Sequence, residues 1–249
     1  MWIWSWIKCN GIYFKDYKMN EKIFIVSGGS SDIFQKLIKE NYFNNSKIIA
    51  IYNSSKHLIK NKNINYVKLD YTKKINLKKY EKIIKKYNKL VFINFASKKT
   101  NKIFLNINNY DFITDFKINT LSYFSICKLI IPFMIKNNWG RIINISSTGG
   151  EKGDVGTTTY TSTKLASNGI TNILSKEFAR FGITSNTIKL GNFKTGMFLN
   201  LNENLKKKIL REIPSGKTGK IQNIAKAINF IINSDYTNNA NINIDGGYR

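Results

Sequence analysis

From Lys22 to Ile244 the chain alternates short, continuous apolar runs with longer segments of helical spacing, an order that few folds accommodate. The runs IFIVS (Ile23–Ser27), KIIAIY (Lys47–Tyr52), YVKL (Tyr66–Leu69), LVFIN (Leu90–Asn94), RIINIS (Arg141–Ser146), SNTIKL (Ser185–Leu190) and INI (Ile242–Ile244) read as strands. They are apolar at consecutive positions rather than at every second one, as in strands covered by helices on both faces. Helices are expected from the first glycine turn to Phe43, then over Lys73–Asn88, Asn108–Lys136, Thr157–Phe181 and Gln222–Asn233. In Lys73–Asn88, for example, Ile75, Leu77, Tyr80, Ile83, Ile84 and Tyr87 fall on one side. Strand–helix alternation with short connections predicts a single α/β domain over residues 19–249, doubly wound and Rossmann-type, with about seven parallel strands. Ligands bind beyond the carboxyl ends of the strands in such a sheet. Asn192–Ser215, which shows no clear element and follows a strand, is therefore the candidate substrate lid.

The first ten residues, MWIWSWIKCN, hold three of the four tryptophans, yet the apolar run stops at Lys8. A bilayer span needs about 20 apolar residues, and a signal peptide needs a basic start and a small-residue cleavage site. Residues 1–18 are expected to be a leader outside the fold, with a short membrane-surface anchor as the alternative and no membrane span. The formal net charge of +25 raises the question of a nucleic-acid partner. The lysines, however, are spread along the chain together with Asn and Ile, and no basic cluster interleaves with aromatics, so no specific nucleic-acid surface is expected. Cys9 and Cys127 form no CxxC, which argues against a disulfide framework or zinc site and for cytoplasmic thiols. His57, the single histidine, sits in a polar Lys-rich loop. A Ser-His-Asp hydrolase or a His-rich metal site would have to use it, so both classes recede and no metal is expected.

Two motifs carry chemistry. SGGSSDIF (Ser27–Phe34) is a glycine-rich turn between the first strand and helix, where backbone N–H groups and a helix N-terminus meet a phosphate. Tyr160-Thr-Ser-Thr-Lys164 places a phenol and an ammonium four residues apart on one helix face. A phenol ordinarily titrates near pH 10, and a neighbouring cation favours its phenolate, which suits proton transfer at neutral pH. Tyr52 and Lys56 repeat the spacing at a strand end, so context must separate the two. Ser147 supplies it: it closes the fifth strand, thirteen residues before Tyr160, so strand end and helix converge on one site.

With these residues the chain resembles the short-chain dehydrogenase/reductase family from Lys22 to Arg249, and within it is similar to bacterial 3-oxoacyl carrier-protein reductases. Asn94-Phe-Ala-Ser97 corresponds to the family's Asn-Asn-Ala-Gly, Asn119 to its helix asparagine, and Gly140–Ser147 to its serine strand. Leu190–Thr195 resembles its Pro-Gly…Thr segment, and Asp245-Gly-Gly247 its C-terminal signature. The resemblance implies hydride transfer between a nicotinamide and a carbonyl carbon, on a small-molecule substrate that is free or carrier-bound. Ser147 would hold the carbonyl oxygen and Tyr160 donate its proton. Lys164 would lower the Tyr160 pKa and bind the ribose, and Asn119 would join Lys164 to a water chain. Gly28, Ser30, Ser31, Asn53, Ser54, Asp70, Asn94, Ala96, Gly191 and Thr195 would bind cofactor alongside Tyr160 and Lys164.

Plainer roles stand beside these: a strand-end turn for Ser147 and Asp70, a helix asparagine satisfying a carbonyl for Asn119, a helix N-cap for Thr195. A homo-oligomer, dimer or tetramer, is expected. The alternatives are a sugar or small-alcohol dehydrogenase of the same family and a non-catalytic nucleotide-binding or scaffold protein. NADP(H) is expected over NAD(H). NAD sites place an acidic residue about 20 residues past the glycines, whereas here Tyr52-Asn-Ser-Ser-Lys56 offers hydroxyls and an ammonium, with no carboxylate before Asp70.

The chain departs from the family at three places. The turn T-G-x-x-x-G-x-G has its glycines at Gly28, Asp32 and Phe34; Leu190 replaces a proline; and Asn238 and Asn239 stand in a shortened segment where Thr-Gly is usual. Asp32 is expected to repel phosphate or to act as helix N-cap, and Phe34 to hold the first helix away from the sheet, giving reduced cofactor affinity.

Overall fold

The computed structural model describes residues 22–44, 46–53, 58–73 and 80–248. The expected leader, His57 and the Ser54–Lys56 segment lie outside them. Seven strands form one parallel sheet: β1 (Lys22–Ser27), β2 (Lys47–Tyr52), β3 (Ile64–Lys68), β4 (Lys89–Asn94), β5 (Gly140–Ser147), β6 (Ile183–Leu190) and β7 (Asn241–Ile244). Their order is β3-β2-β1-β4-β5-β6-β7, the doubly wound arrangement expected. The order reverses between β1 and β4, where a crevice opens at the carboxyl ends.

Successive strand residues point to opposite faces, so each strand feeds two cores. Ile23, Ile25 and Phe92 pack with Tyr123, Ile126, Ile130 and Met134 on one face, while Phe24, Val26 and Ile93 pack with Phe34, Leu37, Ile224 and Ile228 on the other. The covering helices are α1 (Asp32–Lys39), α2 (Glu81–Ile84), α3 (Asn109–Phe116), α4 (Ser122–Lys136), α5 (Gly149–Lys152), α6 (Thr158–Glu177), α7 (Gly196–Leu199), α8 (Glu203–Glu212) and α9 (Ile221–Asn233). At the carboxyl end of the sheet the apolar core gives way to a polar rung. Ser27 pairs across to Asn94 and Asn94 to Asn144. Asn94 accepts from the Ser27 hydroxyl and donates to Asn144 Oδ1 at 3.0 Å; Asn144 donates to Ser167 of α6 at 3.1 Å.

Three expectations change. The helix foreseen over Asn108–Lys136 is broken by a π turn, Lys117–Leu121, between α3 and α4. The run Asn109–Lys136 is long and apolar enough to cross a bilayer, but Tyr123, Ile126, Ile130 and Met134 are spent on the sheet core. Of the helix foreseen over Lys73–Asn88, the described part is α2. The stretch Asn192–Ser215 is not irregular: it carries α7 and α8, with Asn202 capping α8 by accepting from Leu205 N at 2.8 Å. Near the C-terminus Asn239 adopts φ 58°, and Asn238 Oδ1 accepts from Ser185 N at 2.8 Å. The shortened segment thus keeps a left-handed position that asparagine tolerates.

Candidate active site

The β1–α1 turn is built on two glycines. Gly28 adopts φ 72°, and a Cβ there would lie 2.5 Å from the Phe95 backbone carbon. A Cβ on Gly29 would lie 2.9 Å from that of Ala50. The turn is therefore pressed against the ends of β4 and β2, a close approach only glycine allows. Ser31 N donates to Gly28 O at 2.8 Å, and Gln35 Nε2 donates to Gly29 O at 2.6 Å. The N-cap of α1 is Ser31, whose hydroxyl accepts from Phe34 N at 3.3 Å. This corrects the cap expected at Asp32, which is instead the exposed first residue of the helix. Phe34 is fully buried between Phe43 and Phe95, with ring centroids 5.9 and 6.0 Å away. The ring fills the space a third glycine would leave open.

Ser147 ends β5 and Tyr160 lies in the first turn of α6, and the hydroxyls of Ser147 and of Ser97, past the end of β4, stand near the Tyr160 phenol. Burial pushes the phenol above its ordinary value, and the two serine hydroxyls oppose that rise. Four residues on, Lys164 is fully enclosed and donates to Ile145 O of β5 at 2.8 Å. Burial lowers its pKa from 10.5 to about 8. Its ammonium stands 5.9 Å from the Tyr160 ring centroid, and that of Lys99 stands 5.7 Å from it. Asn119, in the π turn, accepts from Lys98 N at 2.6 Å and donates to Lys98 O at 2.8 Å and to Thr163 at 2.9 Å. It fastens the loop after β4 to α6, and π turns recur at such functional positions.

A cavity of about 290 Å³ crosses the carboxyl ends of β1, β4, β5 and β6. Of the residues expected to act in catalysis or to bind cofactor, Ser31, Ser147, Tyr160, Lys164, Gly191 and Thr195 line it, as do Asp32 and Leu190, two of the departures from the family. Gly191 has to be glycine because a Cβ would meet Asp245 Cα at 2.7 Å. Gly28, Ser30 and Ala96 belong to the turn and loop beneath the cavity, Asn53 is exposed at the end of β2, and Ser54 is outside the described residues. Asn94 spends its amide on the polar rung. Asp70 accepts from Thr72 N and Oγ1 at 2.9 and 2.7 Å in a strand-end turn, hydrogen bonds that hold its carboxyl below the usual range.

Sequence reasoning passed over three further lining residues: Ser97, Lys99 and Ser146. Ser146 lines the cavity, is buried, and its hydroxyl has no hydrogen-bond partner among the described residues. Its only sequence signal is its place beside Ser147. Ser97 and Lys99 carried none, because the matched segment has glycine, not a hydroxyl, at the position of Ser97.

A doubly wound sheet, a glycine turn at its switch point and a Ser–Tyr–Lys group on one cavity define a nicotinamide-dependent oxidoreductase. The comparisons agree. The family model described as short chain dehydrogenase matches residues 22–206, and the chain belongs to that family. It is 32% identical over 241 residues to the 3-oxoacyl-(acyl-carrier-protein) reductase FabG of Buchnera aphidicola subsp. Baizongia pistaciae, covering 92% of this chain and 98% of that protein. It is 31% identical over 159 residues to the acetoacetyl-CoA reductase of Allochromatium vinosum, covering 63% and 65% of the two chains. The solved structure of ElxO with NADP bound superposes with a TM-score of 0.81 at 26% identity, over 92% of this chain and 99% of that one.

Proposed function

We propose that the protein is an NADP(H)-dependent reductase that converts a ketone or 3-oxoacyl-type carbonyl, free or carrier-bound, to the alcohol. The observation that carries this is the single cavity joining the Ser31 turn to Ser147, Tyr160 and Lys164. The residues fit a dinucleotide: the turn at Gly28 and Gly29 has no room for a Cβ, so its backbone is what a ligand meets, and Ser146, whose buried hydroxyl has no partner among the described residues, lines the cavity. Gly28, Ser30 and Ser31 would hold the phosphates. Asn53, Ser54 and Asp70 would border the adenosine end, and Asn94, Ala96, Gly191 and Thr195 the nicotinamide end. Bound NADPH supplies the hydride. Ser147 holds the carbonyl oxygen beside Tyr160, and Tyr160 passes its proton to that oxygen as charge develops there. Lys164, fixed by Ile145 O, keeps a cation beneath the phenol, and Asn119 holds the loop that carries Ser97 in place.

The preference for NADP(H) rests on Ser54, Ser55 and Lys56 in the sequence and on the NADP carried by ElxO. A homo-oligomer, a dimer or tetramer, is supported by large apolar side chains exposed on α3, α4 and α6, among them Ile113, Phe124, Leu165 and Ile173. The free, buried Cys127 fits a cytoplasmic location. Titrating the protein into NADPH and following cofactor fluorescence, then adding acetoacetyl-CoA and following NADPH oxidation, tests the reading. Absence of binding at millimolar cofactor would favour the non-catalytic alternative.

A further inference from the structure

The loop after β4 carries three lysines, and the structure treats them differently. Lys98 meets Asp115 at 3.6 Å and Lys102 meets Asp111 at 2.6 Å, both carboxylates of α3. Lys99 has no carboxylate partner among the described residues, and it lines the cavity.

Its placement follows from its neighbours. Lys98 is held on both sides of its backbone by Asn119, and Thr100 N donates to the buried Asp115 at 3.2 Å. Asp115 also accepts from Thr100 Oγ1 at 3.0 Å and from Thr159 Oγ1 at 2.6 Å, the residue before Tyr160. With residues 98 and 100 both clamped toward α3 and α6, the side chain between them is sent over the Tyr160 ring, 5.7 Å from its centroid. The charged residues that line the cavity, among those described, are Asp32, Lys99 and Lys164. Asp32 opens α1 beside the glycine turn and Lys164 is spent on Ile145 O. Lys99 is the charge left for the substrate.

We propose that Lys99 selects carbonyl substrates that carry an anionic group, carboxylate or phosphate-like, close to the carbonyl that is reduced. The inference rests on the reductase reading above and names its substrate class. A carbonyl oxygen accepting from Tyr160 sits about 2.7 Å from the phenol oxygen, which brings an anion a few bonds further along within ion-pair reach of Lys99. In the reaction the carbonyl carbon gains the hydride of NADPH, its oxygen gains the Tyr160 proton, and NADP⁺ remains; Tyr160 recovers a proton from solvent. The anionic group takes no part in bond making. The phosphate of a carrier-linked acyl group is many bonds from the carbonyl and lies out of reach of Lys99.

The test compares kcat/KM for acetoacetate, 2-oxopropylphosphonate and the neutral ethyl acetoacetate, with NADPH, in wild type, Lys99→Gln and Lys99→Arg. Wild type should prefer both anions over the ester by about tenfold or more at low salt. The preference should collapse toward unity in Lys99→Gln, chiefly through KM, survive in Lys99→Arg, and weaken as salt is added. Equal use of charged and neutral substrates by wild type, or an unchanged preference in Lys99→Gln, would overturn the inference. Reduction of acetoacetyl-CoA but of none of the three would also overturn the inference, whereas failure to oxidise NADPH with acetoacetyl-CoA as well would refute the reductase reading instead. Calorimetric binding of 2-oxopropylphosphonate then decides the role of Lys99: binding lost in Lys99→Gln sustains it, and equal binding by both proteins ends it.

Discussion

The ammonium of Lys164 donates to the carbonyl of Ile145 at 2.8 Å, two residues before Ser147 on the same strand. This bond ties α6 to the end of β5 and fixes the distance between the two halves of the catalytic group. It also encloses a charge, and burial lowers the Lys164 pKa from 10.5 to about 8.

The lowered value makes a prediction about stability. Because the folded value lies below the unfolded one, both states are charged below about pH 8, and the fold there bears the full penalty. Between about pH 8 and 10.5 the folded chain releases a proton that the unfolded chain keeps, so stability rises with pH through that window. Lys164→Met should raise stability at pH 7 by no more than roughly 3 kcal/mol, seen as a higher thermal midpoint, and the gain should shrink toward pH 10. Thermal unfolding of both proteins across that range checks it; a gain that does not change with pH contradicts it.

The same group shapes the pH–rate profile. The ammonium is lost as pH rises through about 8, so kcat/KM for carbonyl reduction should fall on an alkaline limb near that value. An activity flat to pH 10 would show that the charge on Lys164 is dispensable.

Asn119 spends its amide on both sides of Lys98 and on Thr163. Asn119→Leu should leave buried groups unpaired and lower stability by about 1–3 kcal/mol. It should lower kcat more than cofactor affinity, because the loop bearing Ser97 loses its tether. Unfolding midpoints and NADPH titrations of the variant read both effects.

The altered turn gives opposite results at its two departures. Asp32 is exposed on the cavity at the first turn of α1, so Asp32→Asn should tighten NADPH binding by about 1 kcal/mol. Phe34 is buried against Phe43 and Phe95, so Phe34→Ala should instead cost about 3–5 kcal/mol of stability. Unchanged NADPH affinity in Asp32→Asn would mean that the carboxylate points away from the phosphates.

The seven strands and their parallel, doubly wound sheet were legible in the sequence because continuous apolar runs, alternating with helical segments, mark strands buried on both faces. Ser147, Tyr160 and Lys164 were legible because strand end and helix bring fixed spacings together. What escaped was of several kinds. Asp32 lost the helix cap to its neighbour Ser31, a choice that composition alone does not decide. The π turn at Asn119 leaves the apolar periodicity almost intact, so the Asn109–Lys136 run reads as one helix. Helix α8 buries none of its residues, and its few apolar positions, Leu205, Ile209 and Leu210, are outnumbered by charged ones, while α7 is only four residues long, so neither is easily read from the sequence. Lys99 differs from Lys98 and Lys102 only through which carboxylates α3 brings near.

The proton donor is the centre of the account, and Tyr160→Phe tests it most directly. The substitution removes one hydroxyl and keeps the buried ring, so NADPH should bind within about twofold of wild type while turnover of a 3-oxoacyl substrate falls by roughly 10²–10⁴-fold. Near-normal turnover in Tyr160→Phe, with folding and cofactor affinity intact, would contradict the account.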